Sequence, residues 1–457
     1  MTESLTPAAR RDIASHLHPY TNFGRHEEVG PLVLTHGKGI YVYDEQGHEY
    51  IEGLAGLWCT SLGFGEEELA HAAAVQMSRL PAYHTFASKS NPTVIELAEQ
   101  LKALAPVPMS KVFFTNSGSE ANDTVVKMLW YYNNARGRPQ KKKIISRIKG
   151  YHGITVASGS LTGLPLNHRD FDLPIAGILH TDCPHHYRFA QPGESEEAFA
   201  TRLAQSLDAL IRKEGADTVA AFIAEPLMGA GGVIVPPRTY FPKIQAVLRK
   251  HDVLMVADEV ICGFGRTGNF WGCQTFDIQP DILTCSKAIT SGYLPLAAIL
   301  ISDEVYQGLR DGSSKVGVFA HGFTQSGNPT CCAVALKTLE LMERRGLVQH
   351  VREVGPRLQA GLQAFAQHPL VGEVRGVGLV GGVELVADKA SKRPFDATQR
   401  VGFYCSERAQ AHGLIVRPML DTIGFCPPLI IEAAQIDELL GRFRQALDDT
   451  LAWVQKS

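Results

Sequence analysis

Six short apolar runs, at residues 112–115, 143–147, 219–224, 253–257, 282–285 and 297–301, constrain the fold of this chain more than any other feature. Runs of this kind are apolar at successive positions rather than at every second one, which marks strands covered on both faces. Longer stretches with helical periodicity, such as 195–214 and 240–251, lie between several of them. Parallel strands need a crossover, and a helix is the usual one. The alternation predicts an α/β domain with a largely parallel sheet over residues 60–325.

The two ends read differently. Residues 31–52 (PLVLTHGKGIYVYDEQGHEYIE) form short alternating strands, with Gln46–Gly47 as a turn. After residue 330 come two amphipathic helices, the strand-like RGVGLVGGVEL, another helix, the strand GLIVRP and a terminal helix. A chain of 457 residues exceeds one ordinary core. Residues 1–59 and 326–457 are therefore expected to build a smaller α+β domain beside the large one.

Charge excludes two partner classes. Forty-four basic and 47 acidic side chains leave −3, so nothing global draws the chain to nucleic acid or an anionic membrane. The basic run RGRPQKKK, Arg136 to Lys143, reads as a solvated loop, because it is short and lacks interleaved aromatics. No apolar stretch is long enough for a membrane span, and the first 20 residues show no secretory h-region. Nine cysteines without a C-x-x-C pair read as reduced, mostly buried thiols, and the expected location is cytoplasmic.

Two motifs invite a wrong reading. Gly263 to Gly268 (GFGRTG) fits the glycine pattern of a dinucleotide turn, but that turn needs a helix to start inside it. The continuation NFWGCQTFDIQPD is not helical in character, so a nicotinamide or flavin site is not expected. His180 to His186 (HTDCPHH) gathers five potential ligand side chains, yet a tight local cluster lacks a remote ligand pair. It is expected to be a loop at the surface or at a subunit contact, and no metal is expected.

Four local signals carry the chemistry. NSGSEAND (Asn116 to Asp123) follows the strand VFFT and precedes a helix, so free N–H groups and the helix dipole converge as they would on a phosphate. The plain alternative is an N-cap. Asp258, in VADEV, ends an apolar strand where α/β proteins bind ligands. A buried carboxylate there needs a cationic partner, either a protonated pyridine nitrogen or a structural arginine. Lys287 ends the strand DILTC 29 residues later; burial there lowers its pKa and makes the amine a nucleophile. The alternative is an ordinary solvated lysine. Tyr151 and His152, between Gly150 and Gly153, can lay a ring against a planar cofactor, or simply close a turn.

In order, a phosphate turn, an aromatic ring, an acid and a lysine are what pyridoxal 5'-phosphate requires. With SGSEAND, GYHG, AFIAEPLMGAGGVIVPP, ADEVICGFGRTG, SKAITSGY and HGFTQSGNP, the chain resembles the class III (ω-) aminotransferases of the fold-type I pyridoxal-phosphate group over nearly its whole length. The resemblance implies a large domain with a mostly parallel mixed sheet and a small domain from both chain ends.

It further implies that Lys287 carries the cofactor and then acts as acid and base. Asp258 pairs with the ring nitrogen, and Val260 packs on the ring face opposite Tyr151. Ser117, Gly118 and Ser119 hold the phosphate, joined by Thr324 of a neighbouring subunit. His152 and Glu225 stand beside the cofactor. The implied assembly is a homodimer with shared active sites, or a tetramer.

The nearest subgroup is the amine and ω-amino-acid:pyruvate transaminases, including pyruvate-dependent 4-aminobutyrate transaminases. In that subgroup Trp58 and Phe86 match aromatic pocket walls, and Arg417 matches an arginine that pairs with a carboxylate. Gln325 and Asn328 depart from the Tyr and His expected there. The implied reaction is ping-pong transfer from an amine donor to pyruvate. An aminomutase or decarboxylating relative, and a non-catalytic cofactor-binding regulator, are the alternatives.

Overall fold

A computed structural model of the chain describes residues 5–456. The strands are, in order, β1 (Leu34–Lys38), β2 (Tyr41–Asp44), β3 (Glu49–Glu52), β4 (Lys111–Thr115), β5 (Lys143–Arg147), β6 (Ile178–Thr181), β7 (Val219–Ala224) and β8 (Leu254–Asp258). They continue with β9 (Ile282–Cys285), β10 (Ala297–Ile301), β11 (Val371–Val377), β12 (Val380–Leu385), β13 (Leu414–Ile415), β14 (Arg417–Met419) and β15 (Thr422–Phe425).

The central sheet has seven strands in the order β4-β10-β9-β8-β7-β5-β6. Neighbours from β9 to β6 are parallel, whereas β10 runs antiparallel to both β9 and β4. β7 shows why the apolar runs are continuous. Phe222 and Ala224 join a core built with the helices Glu196–Glu214 and Tyr240–Lys250. Ala221 and Ile223 point the other way, into a core with Gly118–Ala135 and Asp303–Val316. Alternate residues face opposite layers, so both sets must be apolar. β6, an edge strand with two half-buried positions, was not expected from the sequence.

The remaining strands form two four-stranded sheets, β1-β2-β3-β13 and β11-β12-β15-β14. β13 pairs parallel with β3, Leu414 opposite Ile51, and so brings the two ends of the chain into one sheet. Two readings need correction. RGVGLVGGVEL is a hairpin rather than one strand, because Gly378 turns the chain at φ +58° between β11 and β12. GLIVRP divides between two sheets, with Val416 as the crossing point.

The basic run is also less solvated than expected. Asp252 accepts from Arg138 at 2.6 Å and from Lys141 at 2.9 Å, Lys143 meets Glu214 at 2.8 Å, and Lys141 is buried. Four of its five charges pair with acids of the chain, and Lys142 donates to the Trp130 carbonyl and to Asn134. The HTDCPHH loop is likewise not wholly superficial: Cys183 and His185 are buried, because His185 Nε2 sits 2.7 Å from Glu373 on β11. The GFGRTG turn starts no helix. Arg266 is buried inside it and donates to the carbonyls of Leu379 and Pro427 at 3.1 and 2.5 Å, tying the central layer to the C-terminal sheet.

Candidate active site

The C-terminal ends of β4, β5, β7, β8 and β9 surround a cavity of about 450 Å³. Its floor is set by the turn after β4. Ser117 caps the helix Gly118–Ala135, its Oγ accepting from the N–H of Glu120 at 3.2 Å. Glu120 in turn accepts from Asn116 N and Nδ2, both at 2.8 Å, which fixes the turn. The positive end of an 18-residue helix therefore opens into the cavity. Two glycines keep that space open. A Cβ on Gly118 would stand 3.1 Å from Val260. One on Gly153, at φ +131°, would stand 2.6 Å from the Ser119 hydroxyl and 2.9 Å from its Cα. The result is a cradle with donors and no side-chain bulk, the shape and charge a phosphate fits.

Asp258 ends β8 and is buried. Its Oδ2 accepts from Asn122 Nδ2 and His152 Nδ1, both at 2.8 Å, and its Oδ1 from the N–H of Val260 at 3.1 Å. No arginine or lysine pairs with it among the described residues. The structural-arginine alternative therefore fails, and a protonated ring nitrogen suits the remaining need for a cation. Asn122 itself is held twice more, donating to the His152 carbonyl at 2.7 Å and accepting from Thr284 at 3.1 Å. Glu259, next in sequence, takes no part. It is buried away from the cavity, accepts from the N–H groups of Gly272 and Cys273 at 2.9 and 2.6 Å, and is pushed up to about 7 by burial.

Lys287 follows β9 at φ +51°, a conformation most side chains avoid. Burial lowers its pKa, and Asp258 opposes that shift in part. Tyr151 and His152 follow β5. The N–H of Tyr151 donates to Glu225 Oε1 and that of Gly229 to Glu225 Oε2, both at 2.9 Å, so Glu225 braces the Tyr151 turn from below. Burial raises the Glu225 carboxyl above its usual range. The His152 Nε2 atom is buried without a hydrogen-bond partner.

Of the residues expected at the site, Ser117, Gly118, Ser119, Tyr151, His152, Glu225, Asp258, Val260 and Lys287 line this cavity. Arg417, at the start of β14, lies near Tyr151 and Tyr20, and burial lowers its pKa. Three others are not brought to the cavity within one chain. Trp58 is buried in an apolar cluster with Leu54, Ile261 and Val380. Phe86 is 45% exposed and borders Gly322. Thr324 is exposed on the turn before the helix Pro329–Arg344. The departing residues have a local role there: Asn328 caps that helix through Thr330 N (2.9 Å) and Cys331 N (3.1 Å), and donates to Gln325 at 2.8 Å.

Two contributors were missed. Asn122 lies one helical turn beyond Gly118, on the same face, and that spacing could have found it. Tyr20 had no sequence signal; its phenol lies beside that of Tyr151 and takes a hydrogen bond from Asn167.

The family comparison decides what this geometry belongs to: the class-III aminotransferase family matches residues 23–447. The chain is a class-III aminotransferase. It is 51% identical over 435 residues to gamma aminobutyrate transaminase 3, chloroplastic, of Solanum lycopersicum, covering 95% of this chain and 84% of that one. Its fold is similar to that of an ω-transaminase from Pseudomonas jessenii in complex with PMP, with a TM-score of 0.97 and 59% identity over 98% of this chain and 99% of that one. A thermostable ω-transaminase variant, W58M/F86L/R417L, engineered for asymmetric synthesis of enantiopure bulky amines, also matches at TM-score 0.97 and 58% identity, covering 98% and 100%. The protein is thus a pyridoxal-phosphate-dependent transaminase of fold type I. No helix among the described residues is long and apolar enough to cross a membrane.

Proposed function

We propose that this aminotransferase moves an amino group from an amine or ω-amino acid to pyruvate, the two substrates using the same cavity in turn. The observation that carries the reading is the cavity itself, with a desolvated lysine and a buried carboxylate beside a helix N-terminus. When bound, pyridoxal phosphate supplies an aldehyde that takes up the amino group and a ring that withdraws electrons. Ser117, Gly118 and Ser119 would hold its phosphate, Asp258 its ring nitrogen, and Tyr151 and Val260 its faces. Lys287 would hold its aldehyde carbon.

With the cofactor bound, Lys287 Nζ would be the group that takes up a proton from the donor carbon and gives it back, a role its lowered pKa suits. His152 and Asn122 keep the Asp258 carboxylate oriented, and Asn122 is itself anchored by Thr284. Arg417 would receive a substrate carboxylate through a two-pronged pair. No arginine lines the cavity itself. One guanidinium at its edge matches a monocarboxylate such as pyruvate better than a dicarboxylate acceptor.

The same reading gives Trp58 and Phe86 the aromatic walls of the substrate pocket. The solved variant altered at a tryptophan, a phenylalanine and an arginine bearing the numbers 58, 86 and 417 supports this. Phe86 and Thr324, which stand away from their own cavity, would serve the site of a second copy, giving a homodimer with shared sites. Sedimentation of the holoenzyme as a monomer would overturn that assembly. Nine free cysteines, eight of them buried, favour a reducing compartment, and we place the protein in the cytoplasm; cell fractionation tests this.

The central experiment is a donor panel assayed with pyruvate and with 2-oxoglutarate, run on wild type and Lys287→Ala. Stoichiometric alanine from pyruvate is expected in wild type. The variant should lose turnover and the borohydride-trapped cofactor on the residue 287 peptide. Retained turnover in Lys287→Ala, or a preference for 2-oxoglutarate, would contradict the corresponding part of the reading.

A further inference from the structure

The N-terminal segment carries a side-chain group that the transamination chemistry does not use. Asp12, on the helix Pro7–Ser15, meets His16 across one turn, with Nδ1 3.3 Å from Oδ1. The chain then doubles back, and His18 Nε2 comes to 2.6 Å from Oδ2. His26, on the helix Phe23–Val29, places Nε2 3.2 Å from the same oxygen. Adjacent rings lie 4.3 and 4.2 Å apart. The donor atoms of Asp12, His16 and His18 all fall within 4.8 Å of one another. The three imidazoles are the only ion-pair partners of Asp12 among the described residues.

Each imidazole can donate one N–H to the carboxylate, which has acceptor sites for all three, but the same nitrogens and oxygens also make a ligand set for a divalent cation. As a ligand set they are well matched. Zinc binds histidine nitrogen and carboxylate oxygen at about 2.0–2.2 Å in a tetrahedron, which puts neighbouring ligand atoms about 3.3 Å apart. In the set Asp12, His16 and His18, His16 Nδ1 stands 3.3 Å from Oδ1 and His18 Nε2 2.6 Å from Oδ2, and all three ligand atoms fall within 4.8 Å of one another, so small side-chain movements would bring them to one tetrahedral centre. A second histidine–carboxylate group, His185 with Glu373 and Glu384, differs in kind. There Arg375 already binds the two carboxylates at 2.5 and 2.6 Å, and Arg188 binds Glu384 at 2.5 Å, so cations of the chain fill the place of a metal. Asp12 has no such competitor.

The position gives the cluster a consequence. Two residues after His18, Tyr20 adopts φ +52°, and its hydroxyl accepts from Asn167 and lies beside Tyr151. Fixing His16, His18 and Asp12 to one point fixes the turn that delivers Tyr20 to the edge of the active site. We propose that Asp12, His16 and His18 bind a zinc-type divalent cation, with His26 orienting the Asp12 carboxylate, and that this site pins the N-terminal segment beside the active-site mouth.

Tag-free holoenzyme, stripped with chelator, would be titrated with zinc by calorimetry and with cobalt by visible absorption. One metal per chain and cobalt d–d bands are expected. Asp12→Asn and His18→Ala should weaken zinc binding by about 10- to 100-fold or abolish it, while His71→Ala, at an exposed histidine outside the cluster, should bind as wild type. Zinc should also slow proteolysis within residues 5–30 in wild type and not in His18→Ala. Absence of saturable binding at micromolar zinc overturns the site. So does undiminished stoichiometry in both cluster variants, because it places the metal elsewhere. None of these readouts depends on turnover.

Discussion

His152 donates through Nδ1 to Oδ2 of Asp258 across 2.8 Å, and both side chains are buried. A carboxylate can only accept, so this bond fixes which imidazole nitrogen carries hydrogen and leaves Nε2 without a partner. The arrangement orients the Asp258 charge without adding a lysine or arginine to cancel it.

Asp258→Asn keeps that shape and removes the charge. The pocket should still take up cofactor, while the half-reaction with donor should slow by about 100- to 1,000-fold, the usual loss when preorganised electrostatic stabilisation is removed. Single-turnover spectrophotometry checks this. A variant reacting at the wild-type rate would remove Asp258 from the chemistry.

Gly153→Ala tests the phosphate cradle. The added methyl would approach the Cα of Ser119 to 2.9 Å, a backbone atom that cannot swing aside, at a φ of +131°. Strain of about 1–3 kcal/mol is expected there, equivalent to cofactor binding weaker by about 10- to 100-fold. Equilibrium dialysis of cofactor against the apoenzyme measures it.

Arg417→Leu should separate two donor classes. A charged hydrogen-bonded pair contributes about 1.5–3 kcal/mol, so kcat/KM for 4-aminobutyrate should fall by about 10- to 100-fold. An apolar amine of similar length should be unaffected or improved. Equal losses for both donors would mean that Arg417 acts through structure alone.

Glu52 ends β3, is buried, and accepts from the N–H of Leu54 at 2.8 Å. Burial raises its carboxyl from 4.5 to about 7. The folded chain therefore holds a proton that the unfolded chain releases. That contribution is complete below about pH 4.5 and disappears as the pH rises through about 7. Glu52→Gln keeps an acceptor for Leu54 but cannot ionise. Its melting temperature should change less than that of wild type between pH 5 and pH 8, by up to about 3 kcal/mol in stability terms. Parallel pH curves for the two proteins would contradict the assignment.

The sequence was most informative where an element encodes its own surroundings. Val219–Ala224 could be read to the residue because a strand covered on both faces must be apolar throughout. Asp258 and Lys287 stood out because charged groups directly at the ends of such strands need a reason to be there. Convergence between distant elements was hidden. Asn122 and Asp258 are 136 residues apart in sequence, and no local period records their contact. β6 reads ILHT, with only two buried positions, and carries too little apolar signal. The burial of His185 and of Lys141 depends on acids at Glu373 and Asp252, supplied by remote segments. Tyr20 reaches Tyr151 only through tertiary folding.

The pairing of β13 with β3 bears on how the chain is made. Ile51 and Glu52 find their partners at Leu414 and Ile415, so the first sheet lacks its closing strand until the ribosome has passed that point. During most of synthesis the β3 edge is an open template for other strands. A chain stopped short of residue 414 should therefore be prone to aggregate, and rapid expression should depend on chaperones that shield this edge.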